Sequence, residues 1–350
     1  KRLTKAQFYV IRQAICPETV ILGRSLMLEH EDKNIRIDAT LDAPQEALAK
    51  SIGEGHRLLH GIAGSGKTLI MLFRAKLVSR LHPEWKIIFL CWNISLGSYL
   101  RQMFHNIQMQ GDFKNVQIFH FAEWVRELYG SKGWHVPTFT GEDGDNNLKE
   151  AVRHLLNEKP SVKFHTIFVD EAQDFEGDFL KLVVHHLDPK TNNLLICADE
   201  AQNIMKRTWK SLGINLDKKD SIINLAHQLN IEDGYSLETN YRNTREIISF
   251  AAEFYQKKLP VRTITDGINY VERIGASKRT GPQPQVEAFD HPDDEWYTVA
   301  RWILDKRAEF GLNYGDFLVV FPGYKHKAHE YAVSIFGQHN IPYYLVSDSY

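Results

Sequence analysis

A glycine-rich segment near the start of the chain constrains the fold more than any other feature of the sequence. Residues 61–68 read Gly-Ile-Ala-Gly-Ser-Gly-Lys-Thr and fit the pattern G-x-x-x-x-G-K-[ST] at every position. Glycines at this spacing allow successive backbone N–H groups to surround phosphate oxygens at the start of a helix. A strand is predicted before the segment at Arg57–His60 and a helix after it at Leu69–Ser79, which is the context that a phosphate-binding loop requires. The segment therefore predicts a nucleoside triphosphate site.

The residue types inside this loop predict separate roles. Lys67 supplies a positive charge that can reach the β- and γ-phosphates, and the Thr68 hydroxyl is suited to Mg²⁺. The other candidates would surround the phosphates: Gly61, Gly64, Ser65 and Gly66. The loop thus predicts ATP and Mg²⁺ as cofactors.

Composition restricts the class of protein without identifying a function. A chain of 350 residues suggests two or more domains, because a single hydrophobic core seldom grows so large. The formal net charge of −2 means that any nucleic acid must be held by a local patch. The three cysteines, Cys16, Cys91 and Cys197, are widely separated, which favours a reducing compartment. Since no apolar run has the length of a membrane span, we expect a cytoplasmic protein without a membrane partner.

Alternating strand and helix patterns predict an α/β fold, in which a parallel sheet carries helices on both faces. The predicted strands after the loop helix are 86–92, 116–120, 166–169 and 194–198. The predicted helices between and after them are 96–108, 121–129, 148–157 and 177–187.

The same patterns predict how the chain divides. Residues 1–38 are expected to be a lead-in from an upstream domain, and 39–255 the ATP-binding domain, with a small insertion at about 106–163. A polar connector at 256–282 precedes the start of a second α/β domain at 283–350. In that second domain we expect helices at 293–310 and 325–337 and strands at 317–321 and 343–346.

An acidic pair follows the strand predicted at 166–169. Asp170 would hold Mg²⁺, and Glu171 would polarise the attacking water. Two acids after a strand are often only a solvated strand end. The phosphate-binding loop upstream favours the catalytic interpretation.

The string Val-Asp-Glu-Ala-Gln-Asp at 169–174 closely resembles the D-E-x-Q-D box of superfamily 1 helicases of the UvrD/Rep type. Other segments resemble boxes of that family in the same order along the chain: 41–45, 90–96, 116–121, 198–204 and 237–244. The resemblance is close over about 40–250 and loose over 283–350. It implies a RecA-like fold for the ATP-binding domain and for the start of the second domain.

The resemblance implies roles for further residues. Gln45 would read the adenine base, although the spacing Asp42–Gln45 is equally typical of a helix capping box. Tyr241 would stack on adenine, unless it is a core residue, and Arg242 would contact the γ-phosphate. Gln202 would sense the same phosphate. The implied catalytic set is Lys67, Asp170, Glu171, Gln202 and Arg242.

Single-stranded DNA or RNA is the partner that the resemblance implies. Trp209 lies in the basic segment Lys-Arg-Thr-Trp-Lys at 206–210, which is typical of a groove that binds the backbone and stacks a base, although a solvated basic turn would have the same composition. The candidate contacts are Trp92, Asn93, Ser95, His120, Phe121 and Trp209.

The sequences of segments 55–68 and 90–93 are most similar to a bacterial branch of the family in which a nuclease-related (NERD) domain precedes the helicase. The last two helicase boxes are missing, and we expect them after Tyr350. The resemblance implies an ATP-dependent translocase or helicase that moves 3′ to 5′ in repair or phage defence. The alternative is an ATP-gated switch that regulates a linked or partner nuclease without separating strands. A small-molecule kinase is less well supported, because no segment resembles a lid or an acceptor site.

Overall fold

The structure is a computed structural model. It describes residues 19–20, 39–41, 43–52, 55–61, 64–92, 97, 100–101, 114–141, 143–199, 234–237, 239–258, 277, 279–320 and 328–344. Described residues up to Pro282 form one compact unit, and those from Gln283 onward form a second.

The first unit is built on a parallel sheet. A short antiparallel pair, β1 (Thr19–Val20) and β2 (Ala39–Thr40), comes first. Six parallel strands then form the sheet in the described part of the chain: β3 (His56–Gly61), β4 (Ile87–Cys91), β5 (Val116–His120), β6 (Thr166–Val169), β7 (Asn193–Ala198) and β8 (Gly234–Leu237). Their order across the sheet is β5-β4-β6-β7-β3-β8.

Helices cover both faces of the sheet. They are α1 (Ala43–Ser51), α2 (Lys67–Leu81), α3 (Phe121–Ser131), α4 (Gly144–Leu156) and α5 (Gly177–His185). A further helix, α6 (Arg245–Lys258), follows β8 along the chain. Alternate residues of one strand enter different cores, because successive side chains of a strand point to opposite faces. In β4, Ile88 packs with residues of α3, α4 and α5, whereas Phe89 packs with residues of α1 and α2. The predicted α/β fold with helices on both faces is confirmed.

The central strands lie close to their predicted bounds, because strands buried on both faces appear as apolar runs in the sequence. All residues of β4, β6 and β7 are buried. Gly97, Leu100 and Arg101 are helical, in agreement with the helix predicted at 96–108. Strand β5 and helix α3 lie within the insertion expected at about 106–163, where β5 belongs to the sheet and α3 packs against it. The insertion itself stays a prediction. Strand β8 was not predicted.

The second unit contains α7 (Pro292–Phe310) and α8 (Ala328–Gln338). Trp296 of α7 meets Phe336 of α8 edge-on, with ring centroids 6.0 Å apart. The strand predicted at 317–321 is wrong for its described residues, because 317–320 are irregular and Leu318 and Val320 are more than 80% exposed. Tyr343 and Tyr344, from the strand predicted at 343–346, are also irregular.

Candidate nucleotide-binding site

The loops that carry the predicted ATP site follow neighbouring strands. Strands β6, β7, β3 and β8 are adjacent in the sheet and run in the same direction. Their carboxyl ends therefore lie at one edge, which is where ligands bind in open α/β sheets. The glycine-rich loop follows β3, the acidic pair follows β6, and Asp199 follows β7.

The glycine-rich loop has the backbone conformation that only glycine adopts without strain. Gly64 and Gly66 have φ values of 76° and 89°, in the left-handed region. Gly66 is also in close contact with Gln45, since an added Cβ would lie 2.4 Å from Gln45 Nε2. A side chain at Gly66 would therefore be strained by the left-handed backbone and would displace the Gln45 amide from the loop.

Lys67 is the first residue of α2 and is 7% exposed. Its Nζ donates a hydrogen bond to Gly61 O at 2.8 Å and lies 3.6 Å from Asp199 Oδ2. The Asp199 side chain is also buried, with 3% exposure. The ammonium group is thus held over its own loop by a carbonyl and a carboxylate.

Thr68 and Asp170 are in direct contact, although 102 positions separate them in the sequence. Thr68 Oγ1 donates to Asp170 Oδ2 at 2.7 Å, and the Glu171 backbone N–H donates to Asp170 Oδ1 at 3.0 Å. Burial, and secondly the charge of Glu171, raise the pKa of Asp170 from 3.8 to about 6. No cluster of three or more His, Cys, Asp and Glu suited to a metal occurs among the residues that the structure describes. A hydroxyl beside a single carboxylate nevertheless fits Mg²⁺, which is commonly bound by one or two carboxylates together with phosphates and water.

The raised pKa of Asp170 predicts a stability cost at neutral pH. The pKa of Asp170 is about 6 in the folded protein, above the ordinary 3.8, so folding favours its protonated form. The contribution of Asp170 to the free energy of unfolding is therefore fully present below pH 3.8 and is lost as the pH rises through 6. The ionised carboxylate is therefore the destabilising form. We expect Asp170→Asn to raise the free energy of unfolding at pH 7.5 by up to about 3 kcal/mol, with a much smaller effect at acidic pH.

Denaturant unfolding of the nucleotide-free protein at the two pH values measures this difference. Asp143→Asn is the matched control, because Asp143 is exposed. Destabilisation by Asp170→Asn at pH 7.5 would show that the hydrogen bonds from Thr68 and Glu171 outweigh the cost of burying the charge.

Glu171 follows Asp170 in a left-handed conformation, with φ 52° and ψ 46°. Its Oε2 accepts a hydrogen bond from Gln173 Nε2 at 2.5 Å. The same Gln173 side chain accepts a hydrogen bond from Asp199 N at 3.0 Å. The sequence motifs include Gln173 and Asp199 but predict no role for either residue.

Gln45 reaches the glycine-rich loop from α1. It is 5% exposed, and its Nε2 donates to Ser65 O at 3.0 Å. The side chain therefore fixes the loop backbone, and contact with adenine remains a prediction.

The segment after β8 lies against the same loop. Tyr241 N donates to Gly64 O at 2.9 Å, and an added Cβ on Gly64 would lie 2.8 Å from Arg242 Cβ. Asn240 Oδ1 accepts hydrogen bonds from the backbone N–H groups of Arg242 and Asn243, at 3.0 and 2.8 Å. Asn240 thereby holds a turn that brings Arg242 beside the predicted phosphate position, with its side chain exposed.

Some of the predicted nucleic-acid contacts form an aromatic cluster after β4. Trp92 is partly buried and stacks on Phe179, with ring centroids 5.6 Å apart. His120 is 6% exposed, and Phe121 is fully buried. Burial lowers the pKa of His120. The rings of His120 and Phe121 contact Trp92 and are themselves enclosed, so they present no exposed ring face on which a base could stack.

The remaining predicted site residues lie outside the described part of the chain. They are Asn93, Ser95, Gln202 and Trp209.

Residues 36–226, more than half of the chain, match the family described as "Type III restriction enzyme, res subunit". The chain belongs to this family. The mitochondrial ATP-dependent DNA helicase HMI1 of Saccharomyces cerevisiae is 24% identical over 204 residues, which are 58% of this chain and 27% of HMI1. The chain thus spans about a quarter of the length of this curated relative.

Two solved structures resemble this chain at low similarity. The Pif1 helicase from Candida albicans has 13% identity and a TM-score of 0.37, covering 76% of this chain and 55% of that one. AMPPCP-bound DnaA from Aquifex aeolicus has 11% identity and a TM-score of 0.28, covering 83% and 73%. The family match and the similarity to HMI1 support the expected helicase-like class, whereas superfamily 1 and its UvrD/Rep type stay predictions. Within the described residues, no helix could span a membrane.

Proposed function

We propose that this protein hydrolyses ATP to move along single-stranded DNA, as a translocase or helicase of the UvrD/Rep type. The observation that carries the proposal is the hydrogen bond between Thr68 and Asp170 beside the buried ammonium of Lys67. It brings the hydroxyl and the cation that follow β3 into one site with the carboxylate that follows β6. That combination suits phosphoryl transfer, in which the protein mainly positions groups and neutralises charge.

The proposed ATP site uses the chain's own residues in distinct roles. Thr68 and Asp170 would hold Mg²⁺, which neutralises phosphate charge when it is bound. Lys67 would leave Asp199 to contact the phosphates, while Glu171 would orient and polarise the attacking water. Across the loop, Arg242 would offset charge at the γ-phosphate.

Other roles follow from the resemblance of the boxes. Gln202 would sense the γ-phosphate, and Gln45 and Tyr241 would bind the adenine base. Single-stranded DNA would pass over Trp92, near Asn93, Ser95 and Trp209, with movement from 3′ to 5′ in repair or phage defence. DNA is proposed as the substrate because the relative HMI1 is described as a DNA helicase.

A second candidate function is an ATP-gated switch that controls a linked or partner nuclease. The family's description, which names a subunit of a restriction enzyme, favours this candidate. The similarity to the NERD branch supports it as well. In this function nucleotide binding would regulate the activity of the nuclease, and no strand would be separated.

Steady-state ATP hydrolysis, measured with and without single-stranded DNA or RNA, tests the proposal. We expect single-stranded DNA to raise kcat several-fold. We also expect added salt to reduce this stimulation, because phosphate contacts dominate affinity for nucleic acid. A rate of hydrolysis that responds to neither nucleic acid would contradict the translocase and favour the switch. Stimulation by RNA alone would show that the substrate is RNA and not DNA. A strand-displacement assay then separates a helicase from a translocase.

A further inference from the structure

A buried glutamine contacts both the carboxylate proposed to activate water, Glu171, and the residue that faces Lys67, Asp199. Gln173 is 2% exposed and lies in a single 3-10 turn (Ala172–Asp174) directly after Glu171. Its amide makes two hydrogen bonds, one on each side. Nε2 donates to Glu171 Oε2 at 2.5 Å, and Oε1 accepts from Asp199 N at 3.0 Å.

These two partners determine the orientation of the amide. A carboxylate can only accept a hydrogen bond, and a backbone N–H can only donate one. Rotating the amide by half a turn would place its oxygen against Glu171 and its NH₂ against the Asp199 N–H, so both bonds would be lost. The buried amide therefore has one satisfied arrangement, and that arrangement holds Glu171.

Glu171 needs such a support because nothing intrinsic to its backbone favours its position. Its φ of 52° is a left-handed conformation that a non-glycine residue seldom adopts. It also carries a negative charge beside Asp170, and this charge raises the pKa of Asp170. The hydrogen bond from Gln173 to the Glu171 carboxylate offsets that repulsion and limits its rotation.

Asp199 connects the second end of Gln173 to the phosphate site. Its backbone N–H donates to Gln173 Oε1, and its side chain lies 3.6 Å from Lys67 Nζ. A continuous path of contacts thus runs from Lys67 through Asp199 and Gln173 to Glu171. Phosphate bound at Lys67, as proposed, would therefore act on Asp199, the residue that faces the lysine and donates to Gln173.

We propose that Gln173 is a positioning residue for hydrolysis, which holds the Glu171 carboxylate in place and connects it to Asp199. The inference rests on the proposed ATPase function. Gln173 has no proposed contact with nucleotide, so it acts on the hydrolytic step through Glu171 and leaves nucleotide binding nearly unchanged.

The test measures kcat and KM for ATP hydrolysis by the full chain, with Gln173→Leu as the main variant. Leucine has a similar size but makes neither hydrogen bond. We expect kcat to fall about 10- to 100-fold, the cost of a slightly misplaced catalytic group, while KM changes little. Gln173→Glu is the second variant, because it keeps the acceptor for Asp199 N and loses the donor to Glu171, and we expect it to be as slow. Gln285→Leu is the matched control, since Gln285 is exposed.

A double-variant comparison separates positioning from general damage to the fold. In a Glu171→Gln background, we expect Gln173→Leu to lower kcat no further, because residues that act through one group are not additive. Normal kcat in Gln173→Leu, or a full additional loss in the double variant, would overturn the inference while the ATPase proposal stands. Absence of hydrolysis in the wild type, or an unchanged rate in Glu171→Gln, would instead overturn the proposed function and this inference with it.

Discussion

Replacing Lys67 by alanine is expected to reduce kcat/KM for ATP hydrolysis by about 10²- to 10³-fold or more, as removal of a preorganised charge-stabilising group does. The lysine is buried at the start of α2, where its ammonium contacts Gly61 O and faces Asp199. The variant loses the cation that would neutralise phosphate charge. It also leaves the buried carboxylate of Asp199 without this lysine, and that negative charge would repel the phosphates.

The loss of binding and the loss of hydrolysis can be separated by a double variant. We expect Lys67→Ala/Asp199→Asn to regain part of the nucleotide affinity, measured with a fluorescent ATP analogue, but not the hydrolysis rate. Lys76→Ala is the control, because Lys76 lies in the same helix. Hydrolysis at the wild-type rate in Lys67→Ala would exclude the glycine-rich loop as the catalytic phosphate site.

Glu171→Gln is expected to lower kcat by about 10²- to 10⁴-fold, the usual contribution of a general base, while ATP still binds. The amide cannot accept a proton from water, but it keeps the size of the side chain and an oxygen that can accept from Gln173. Because the charge of Glu171 raises the pKa of Asp170, its removal also lowers that pKa and favours the ionised form of Asp170. Binding of Mg²⁺-nucleotide should therefore be unchanged or tighter.

Single-turnover hydrolysis and nucleotide binding, measured on the same sample, test this combination. Glu127→Gln is the matched control, because Glu127 is exposed on α3. A variant that hydrolyses ATP normally would show that another group activates the water. A variant that fails to bind ATP would assign Glu171 to nucleotide binding.

The sequence predicts the centre of this fold well because its central strands are buried on both faces. Among these central strands, β6 has its predicted bounds, β4 is one residue shorter than predicted at each end, and β7 begins one residue earlier than predicted. The edge strand β5 also has its predicted bounds, since its alternating burial matches the strand period. The edge strand β8 has no such signal, since Gly-Tyr-Ser-Leu contains no apolar run. Residues 317–320 show the opposite error. Their composition is typical of a strand, but a strand also needs a neighbour to pair with, and local sequence cannot supply that information.

The candidate site was predicted to a similar extent. Motif spacing places Lys67, Thr68, Asp170 and Glu171, and the structure brings them to one edge of the sheet. Motif spacing cannot reveal the hydrogen bond between Gln173 and Asp199, because 26 positions separate them and only the pairing of β6 with β7 brings them together. Burial likewise depends on the whole fold, which is why Phe121 appeared as a candidate contact for nucleic acid although its ring is enclosed.

The position of β3 between β7 and β8 has a consequence for how the chain folds. The strand before the glycine-rich loop pairs with Gly234–Leu237, so the site is closed by a segment far along the polypeptide. Contacts of such high sequence separation form slowly, because the loop-closure entropy must be overcome before they contribute. A chain emerging from the ribosome would thus carry its glycine-rich loop for a long interval before Asn240 and Arg242 could join it. If Arg242 contacts the nucleotide as proposed, tight binding would require a completed sheet, and bound ATP would stabilise chains that have finished it.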